Sequence, residues 1–270
     1  AGKGVIMAET TEKALEGVAT IMENRVFGSA GDKIVIEEWM LGREMSFFAV
    51  TDGRSVLPLA PACDYKRIFD SDVGPNTGGM GSYSPTIFYT PELGQIIMST
   101  IVEPTVRAMA LMGRPYQGVL YAGLMVKNNQ PRLVEYNVRL GDPECQVILP
   151  RLKSDLMDII LGVVNGNLDT VQPVWDTHPC LGVVMASGGY PGSYQTGYPI
   201  NGLEEVAKEV TVFHSGTKLG ERGQVLTAGG RVLTVVASGS TLNDARNQVY
   251  SNIRKIEFKD AQYRSDIAKF

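Results

Sequence analysis

Cysteine and histidine are scarce in this sequence, and their scarcity excludes several kinds of site. The three cysteines, Cys63, Cys145 and Cys180, are far apart and lack CxxC spacing. They predict neither a disulfide framework nor a zinc site, and a reducing cytoplasm is the expected compartment. The two histidines, His178 and His214, do not stand in a metal-ligand pattern. No apolar run approaches the length of a membrane span, about 20 residues.

A strong charge of either sign is also lacking. The formal net charge is −4, with 25 lysines and arginines against 29 aspartates and glutamates. This balance does not indicate a partner such as nucleic acid or an anionic membrane surface. Hydrophobic residues make up 44% of the 270 residues and charged residues 20%, which is ordinary for a globular protein with one large domain or two smaller ones.

The most informative stretch is LVEYNVRLGDPE, residues 133–144, which alternates polar with apolar or aromatic residues. On a strand, side chains two positions apart share a face, so Glu135, Asn137 and Arg139 would lie together and the residues between them would be packed. Mg²⁺ commonly takes one or two protein oxygens together with substrate phosphates, and arginine suits phosphate or carboxylate groups. The turn at 141–144 adds two carboxylates. The alternative is a surface strand with a solvated polar face.

A second informative stretch is DYKRIFDSDVGPNTGGMGSY, residues 64–83. Lys66 and Arg67 form a cationic pair, and the loop at 74–81 contains four glycines. Glycine lets backbone N–H groups approach anions closely, and Asn76 and Thr77 add side-chain hydrogen bonds. The pattern predicts a site for an anionic small molecule such as a sugar phosphate. The alternative is a flexible surface linker, but linkers are usually rich in Ser and Gly without such neighbours.

The first 40 residues contain a weaker signal for nucleotide binding. Lys3 stands between two glycines and could reach a nucleotide phosphate, although an exposed turn lysine is the alternative. Residues 5–8 predict a short apolar strand, and KIVIEEWM at 33–40 predicts a β-branched strand. Because the chain opens on a glycine-rich turn that leads straight into a strand, we expect that a preceding part is missing.

The predicted strand at 33–40 breaks at 41–44, and MSFFAV at 45–50 predicts the next strand. A strand that ends at such a break lets backbone groups meet an adenine edge, and Glu44 could hold ribose hydroxyls. An ordinary antiparallel meander is the alternative interpretation.

The remaining pattern predicts alternating helices and strands. Residues 90–112 predict a helix that Pro104 kinks or splits, and residues 151–164 predict an amphipathic helix. Strands are predicted at 118–126, 180–187, 210–214, 225–228 and 231–238. Asn128 and Asn129 predict a hairpin turn, and Thr241 predicts the cap of a closing helix. Residues 229–231 could contact a ligand, but a tight hairpin is the favoured interpretation.

Four stretches together resemble the glycinamide ribonucleotide synthetases, or phosphoribosylamine–glycine ligases, of the ATP-grasp superfamily. They are AGKGV at 1–5, VIEEWMLGREMS at 35–46, DYKRIFDSDVGPNTGGMG at 64–81 and EYNVRLGDPECQ at 135–146. VVMASGGYPG at 183–192 and FHSGT at 213–217 resemble the family's C-terminal domain. The resemblance implies an α+β fold with a mostly antiparallel sheet. It implies a partial ATP lid at 1–40, the central ATP-grasp catalytic domain at 41–166 and a small C-terminal α+β domain at 167–270.

The resemblance also implies an activity, the ATP-dependent ligation of glycine to 5-phosphoribosylamine through a glycyl phosphate, with Mg²⁺ or Mn²⁺. The products would be glycinamide ribonucleotide, ADP and phosphate, in purine synthesis. The implied metal ligands are Glu135 and Asn137, and the implied ATP contacts are Lys3, Glu37, Glu38, the Met40 backbone and Glu44. The implied substrate contacts are Lys66, Arg67, Asn76, Thr77, Gly78, Gly79, Arg139 and Asp142. Lys66, Arg139 and Asp142 are also expected to act in catalysis.

The sequence departs from the family pattern at three positions. Tyr65 stands where many members have His, Cys63 where many have Gln, and Arg43 where an acid is common. A proton-transfer role for that histidine therefore does not carry over. One alternative is another ATP-grasp carboxylate–amine ligase, and another is a nucleotide-binding fragment that lacks an N-terminal domain and has little activity alone. We expect a cytoplasmic monomer or dimer with small-molecule substrates.

Overall fold

The structure, a computed structural model, describes residues 4–270, so the predicted ATP contact Lys3 lies outside the described residues. The described chain divides into two compact units, one ending at Leu41 and the other comprising Gly42–Phe270. The predicted α+β class is confirmed, because helices accompany sheets whose described strand pairs are all antiparallel. No helix within residues 4–270 is long and apolar enough to cross a membrane.

The regular elements are numbered in chain order. The strands of the described residues are β1 Arg43–Thr51, β2 Val56–Pro58, β3 Cys63–Asp64, β4 Arg67–Phe69, β5 Val73–Asn76, β6 Gly81–Ser84, β7 Gly118–Lys127, β8 Gln130–Asn137, β9 Cys180–Ala186, β10 Thr211–His214, β11 Thr217–Leu219, β12 Val225–Thr227 and β13 Arg231–Ser238. The α-helices are α1 Thr11–Val18, α2 Pro91–Ile97, α3 Glu103–Leu111, α4 Cys145–Ile148, α5 Leu156–Asn165 and α6 Leu242–Ile253.

The first unit is helical, and the strands predicted within it are not formed. α1 begins after Thr10, whose hydroxyl accepts a hydrogen bond from the Lys13 backbone N at 3.3 Å. Residues 5–8 and 33–40 are not in strands, because neither has a ladder partner in the described part of this unit. The β-branched composition of 33–40 indicates strand propensity, which does not make a strand without a neighbour.

The first sheet of the second unit has the order β2-β1-β7-β8. The strands predicted at 45–50 and 118–126 are confirmed as parts of β1 and β7. β7 turns into β8 through Asn128 and Asn129, whose φ angles are 51° and 60°. Positive φ at both positions is typical of a two-residue hairpin turn, so the predicted hairpin is confirmed.

The strand predicted at 133–139 ends earlier than expected, at Asn137. Its pairing with β7 shifts next to Gly123, which leaves Val134 as the extra residue of a bulge. The predicted packing of the apolar face is therefore wrong for two residues. Val134 is 42% exposed because it leaves the alternation, and Val138 is 72% exposed because it follows the end of the strand. Tyr136 alone of the three packs against the adjacent apolar core.

The second sheet has the order β10-β13-β9-β6-β3. The strands predicted at 180–187, 210–214 and 231–238 are confirmed as β9, β10 and β13, whereas 225–228 forms β12 in a separate pair with β11. β6 and β3 come from the glycine-rich stretch. This sheet thus combines strands from the predicted central and C-terminal domains, and the boundary between those domains stays a prediction.

The helices of the second unit agree with the prediction in part. Residues 90–112 form α2, a π-helical turn and α3 without a gap, and Pro104 lies in the first turn of α3, so the helix is not split there; its irregularity is the π-helical turn that precedes Pro104. The helix predicted from residue 151 begins later, after the cap residue Asp155. Arg151 is instead buried in a 3₁₀ turn, where its guanidinium donates to Ser84 Oγ at 2.7 Å. Thr241 caps α6 in a capping box with Asp244, as predicted.

Candidate functional site

The glycine-rich stretch folds back onto the cationic pair that precedes it. β4 and β5 pair antiparallel, with Arg67 opposite Asn76. The Thr77 backbone N donates to the Lys66 carbonyl at 2.7 Å, and the Thr77 hydroxyl donates to the same oxygen at 2.8 Å. The Gly79 N then donates to the Thr77 hydroxyl at 3.0 Å. The structure therefore brings Lys66 and Arg67 next to Asn76–Gly79, which the sequence predicts to act together.

Lys66 connects this loop to the first sheet. Its Nζ lies 2.9 Å from Glu44 Oε2 on β1, so a predicted substrate contact and a predicted ribose contact are neighbours. Burial lowers the pKa of Lys66, but the nearby charges of Glu44, Asp64 and Glu135 outweigh burial and raise it. Lys66 is therefore a protonated amine among carboxylates at neutral pH.

The predicted metal ligands are adjacent on β8, an edge strand of the first sheet. Asn137 Nδ2 lies 3.3 Å from Glu135 Oε1, and Glu135 pairs across the sheet with Gly123. A Cβ at Gly123 would lie 3.4 Å from Glu135 Cγ, so the glycine leaves room for the carboxylate beside β7.

These two side chains fit a hard divalent cation in donor type. Carboxylate and amide oxygens suit Mg²⁺ or Mn²⁺. Residues 4–270 contain no group of three or more His, Cys, Asp or Glu side chains that could hold a metal ion. A cation at Glu135 and Asn137 would consequently take its remaining ligands from phosphate oxygens or water, as Mg²⁺ usually does.

Arg139 and Asp142 are placed differently from each other. Arg139 follows the end of β8 and donates to the Leu140 carbonyl at 2.9 Å, so the expectation that it shares a strand face with the two metal ligands is wrong. Asp142 Oδ1 accepts a hydrogen bond from Gln146 Nε2 at 3.1 Å and lies 3.2 Å from Arg231 Nη1. The substrate roles of both residues stay predictions.

Two carboxylates that the sequence pattern does not predict lie below this surface, Glu144, which is buried, and Asp64, which is half-buried with its Oδ1 enclosed. Glu144 is 2% exposed and accepts hydrogen bonds from Ser46 Oγ at 2.9 Å and from the Tyr121 hydroxyl at 2.7 Å. Asp64 Oδ1 is inaccessible and has no hydrogen-bond donor among the described residues. Burial, with the charge of Glu144, raises the pKa of Asp64 well above its usual range. The only sequence signal was the position of these acids inside the two informative stretches.

Two residues of the C-terminal third also reach the loop, and neither was among the predicted site residues. Arg231 Nη1 donates to the Gly78 carbonyl at 2.8 Å and to the Asp142 carbonyl at 2.6 Å. The Tyr190 hydroxyl accepts a hydrogen bond from the Gly78 N at 3.0 Å. The sequence interpretation of 229–231 as only a tight hairpin therefore missed a contact, because the partners are distant in sequence.

Two of the three residues that depart from the family pattern, Cys63 and Tyr65, are poor acids at neutral pH. Burial raises the pKa of Cys63 and of Tyr65 to about 12 each. The Tyr65 hydroxyl accepts a hydrogen bond from the Ala268 N at 3.1 Å, and the Arg264 guanidinium lies 4.9 Å from the Tyr65 ring centre. Tyr65 thus has a packing role, and neither side chain supplies the proton transfer that a histidine would.

The predicted adenine-side residues lie in the first unit. Glu37 and Glu38 are exposed and Met40 is half-buried, all within the extended segment before Leu41. Their contacts with ATP stay predictions, as does the contact of Lys3.

Comparisons with known proteins match both parts of the chain. A family model described as "Phosphoribosylglycinamide synthetase, ATP-grasp (A) domain" matches residues 1–145, and one described as "Phosphoribosylglycinamide synthetase, C domain" matches residues 180–270. The chain is 50% identical over 270 residues to a phosphoribosylamine–glycine ligase of Escherichia coli O6:H1, covering 99% of this chain and 63% of that protein. It is 48% identical over 272 residues to a chloroplastic phosphoribosylamine–glycine ligase of Arabidopsis thaliana, covering 99% of this chain and 51% of that protein.

Solved structures also match this chain. The crystal structure of a phosphoribosylamine–glycine ligase from Thermotoga maritima matches with a TM-score of 0.85 and 33% identity, covering 98% of this chain and 66% of that one. A biotin carboxylase domain from Hydrogenobacter thermophilus shares the fold, with a TM-score of 0.70 and 14% identity over 97% of this chain and 56% of that one. The chain thus spans between about half and two thirds of the length of these relatives.

Proposed function

Because this chain belongs to the phosphoribosylglycinamide synthetase family, we propose that it is the ATP-grasp and C-terminal portion of a cytoplasmic ligase that joins glycine to 5-phosphoribosylamine. The products are glycinamide ribonucleotide, ADP and phosphate. The observation that carries the proposal is the ion pair of Lys66, against which the Asn76–Gly79 loop folds, with Glu44 on β1, in the same sheet whose edge strand β8 carries the predicted metal ligands. An anion-binding loop beside oxygen ligands is the arrangement that a phosphorylated substrate and ATP both require.

In this proposal the reaction has two steps. A glycine carboxylate oxygen attacks the γ-phosphorus of ATP, and the bond to ADP breaks. The amine nitrogen of phosphoribosylamine then attacks the carbonyl carbon of glycyl phosphate, phosphate leaves, and the amine releases a proton. No protein side chain forms a covalent bond, so the protein acts by positioning the reactants and by electrostatic stabilisation.

In this proposal, each group of residues binds one of the reactants. Lys66 and Arg67 bind the sugar phosphate through their cationic side chains. The loop residues Asn76–Gly79 shape the site, since the backbone N–H groups of 77–79 already donate within the protein. Lys66, Arg139 and Asp142 orient the glycine carboxylate and the transferred phosphoryl group. Lys3, Glu37, Glu38, the Met40 backbone and Glu44 bind ATP, with Glu44 on the ribose.

Glu135 and Asn137 would hold Mg²⁺ or Mn²⁺. A divalent cation there supplies neutralisation of the negative charge between the carboxylate and the phosphate groups. The exposure of Glu135, together with an amide neighbour instead of a second acid, supports a site that phosphate oxygens complete.

The test is a substrate panel with the full native chain that contains this sequence. ADP release and product mass are followed with ATP, glycine and 5-phosphoribosylamine, then with each reactant omitted, then with other amino acids and other amines. We expect product only with the complete set. Ligation of a different acid or amine at a higher kcat/KM would replace this proposal with another ATP-grasp ligase. Monomer and dimer are separated by sedimentation of the same chain.

A further inference from the structure

Gly78 in the substrate loop is held through both of its backbone polar groups. Its N donates to the Tyr190 hydroxyl at 3.0 Å, and its carbonyl accepts from Arg231 Nη1 at 2.8 Å. The guanidinium lies flat against the glycine, because a Cβ at Gly78 would be 3.0 Å from Arg231 Cζ. Tyr190 and Arg231 both belong to the segment matched by the C domain, whereas the loop belongs to the ATP-grasp match.

The same guanidinium also holds the turn that follows β8. Arg231 Nη1 donates to the Asp142 carbonyl at 2.6 Å and lies 3.2 Å from Asp142 Oδ1. The Arg231 side chain is only 22% exposed, so this geometry is enclosed by neighbours and is not a mobile surface ion pair. One cation therefore joins Gly78 to Asp142.

The joined segments are packed against each other. A Cβ at Gly79 would lie 2.4 Å from Pro143 Cδ and 2.7 Å from Asp64 Oδ1, which leaves no space for a side chain. The separation between the loop and the turn is thus set by direct contact on one side and by Arg231 on the other.

We propose that Arg231 is a positioning residue that fixes the distance between the sugar-phosphate loop and Asp142, with Tyr190 as its partner on Gly78. This rests on the proposed function, in which the loop presents the amine and Asp142 orients the glycine group. Arg231 acts on the reaction through these two segments and not by touching the reacting atoms. A displacement of about 1 Å between two bound reactants can reduce the rate about 100-fold.

The experiment compares Arg231→Met, Arg231→Lys and Tyr190→Phe in the full native chain. For Arg231→Met we expect kcat to fall about 10- to 100-fold and KM for phosphoribosylamine to rise, while KM for ATP stays within about twofold. Arg231→Lys should recover part of kcat, because an ammonium keeps the charge but lacks the planar fork. Tyr190→Phe should show a smaller loss of the same kind. Arg222→Met changes an exposed arginine of the same third and should match the parent.

A second readout does not depend on catalysis. Amide hydrogen exchange should increase in peptides covering 76–81 and 140–144 in Arg231→Met, while α6 keeps its parental exchange. If the parent makes no glycinamide ribonucleotide, the proposed function fails, and the exchange data alone decide whether Arg231 holds the two segments. Parental exchange in both peptides would overturn the inference. So would equal losses in all three KM values together with faster exchange in α6, because that result indicates general destabilisation. Should Arg231→Met fail to fold, Arg231→Lys and Tyr190→Phe carry the same comparison.

Discussion

Two groups of carboxylates lie in the same unit of this protein, and their surroundings differ. Glu135 is exposed on the edge strand β8 and has an amide neighbour, Asn137. Glu144 and Asp64 are enclosed, the first with two hydroxyl donors and the second with an oxygen that no donor in residues 4–270 reaches. All three residues carry a carboxylate, so burial and hydrogen-bond partners distinguish Glu135 from Glu144 and Asp64.

The difference has a chemical consequence. An exposed carboxylate is available to a cation, whereas hydrogen bonds fix the position of a buried one. We therefore interpret Glu135 as a ligand-facing group, and Glu144 as a group that joins β1, β7 and the 141–144 turn through Ser46 and Tyr121.

The largest expected effect tests the exposed group. Glu135→Gln keeps the shape of the side chain but removes its charge, so we expect kcat to fall about 100-fold or more in the full native chain, because several kcal/mol of charge stabilisation are lost. The thermal midpoint should change by no more than about 1 °C, because exposed substitutions seldom alter stability. Steady-state kinetics over a Mg²⁺ titration measure kcat, and calorimetry measures the thermal midpoint. Glu204→Gln, at an exposed acid of the C-terminal third, is the control. Parental kcat in Glu135→Gln would remove this residue from the site.

The next effect tests the enclosed group. Glu144→Ala removes the acceptor that the buried hydroxyls of Ser46 and Tyr121 share. These hydroxyls lie 2.8 Å apart, so one can still donate to the other and one donor is left unsatisfied, and we expect the free energy of unfolding to fall by about 2 kcal/mol in urea titrations. Tyr121→Phe should lower the free energy of unfolding by a smaller amount. In the double variant the free energy of unfolding should fall by less than the sum of the two single losses, because the two residues share one hydrogen bond. A strictly additive result would show that this hydrogen bond does not contribute.

A smaller effect is the pH dependence of stability. The pKa of Asp64 is raised in the folded state by burial and by Glu144, so the folded protein retains a proton that the unfolded chain releases. The stabilisation from this group is complete below the unfolded pKa and is lost as pH rises through the folded pKa, with a slope of at most about 1.4 kcal/mol per pH unit.

Asp64→Asn should flatten that slope in urea midpoints measured from about pH 4 to pH 9. Asp176 provides a control of opposite sign, because a hydrogen bond from the His178 backbone N, followed by the His178 ring and Lys153, lowers its pKa. Its contribution is present above the unfolded pKa and is lost as pH falls. An unchanged slope in Asp64→Asn would show that another group titrates.

The smallest effect concerns the ion pair of Lys66 with Glu44, a partly exposed carboxylate that belongs to neither group. Lys66 and Glu44 are 36% and 47% exposed, so a double-mutant cycle with Lys66→Met and Glu44→Gln should give a coupling energy of less than about 1 kcal/mol that decreases with salt. Urea titrations at low and high salt measure it. A salt-independent coupling of about 2 kcal/mol or more would place this pair with the enclosed carboxylates.

Much of the fold could be predicted from local pattern. Short apolar runs predicted β1 and β7, alternation predicted β8, paired asparagines predicted the turn between β7 and β8, and Thr241 predicted the start of α6. These features depend on residues close in sequence. The strand predicted at 33–40 is wrong, since a strand also requires a partner that composition does not supply.

The candidate site also combines features that local sequence predicts with features that it does not. Lys66 and Asn76–Gly79 lie within one short stretch, and their association could be predicted because a hairpin brings them together. Arg139 was placed wrongly because a bulge and an early strand end interrupt the alternation on which its position depended.

The sequence by itself determined the chemical inventory of this protein, namely a cationic pair with a glycine-rich loop, a strand that carries a carboxylate and an amide, and the motifs of one family. Only the tertiary structure decided that Asp64 and Glu144 are enclosed and that Arg231 joins Gly78 to Asp142. The physical reason is that burial and long-range hydrogen bonds arise when strands distant in sequence share one sheet, as β3, β6, β9 and β13 do here.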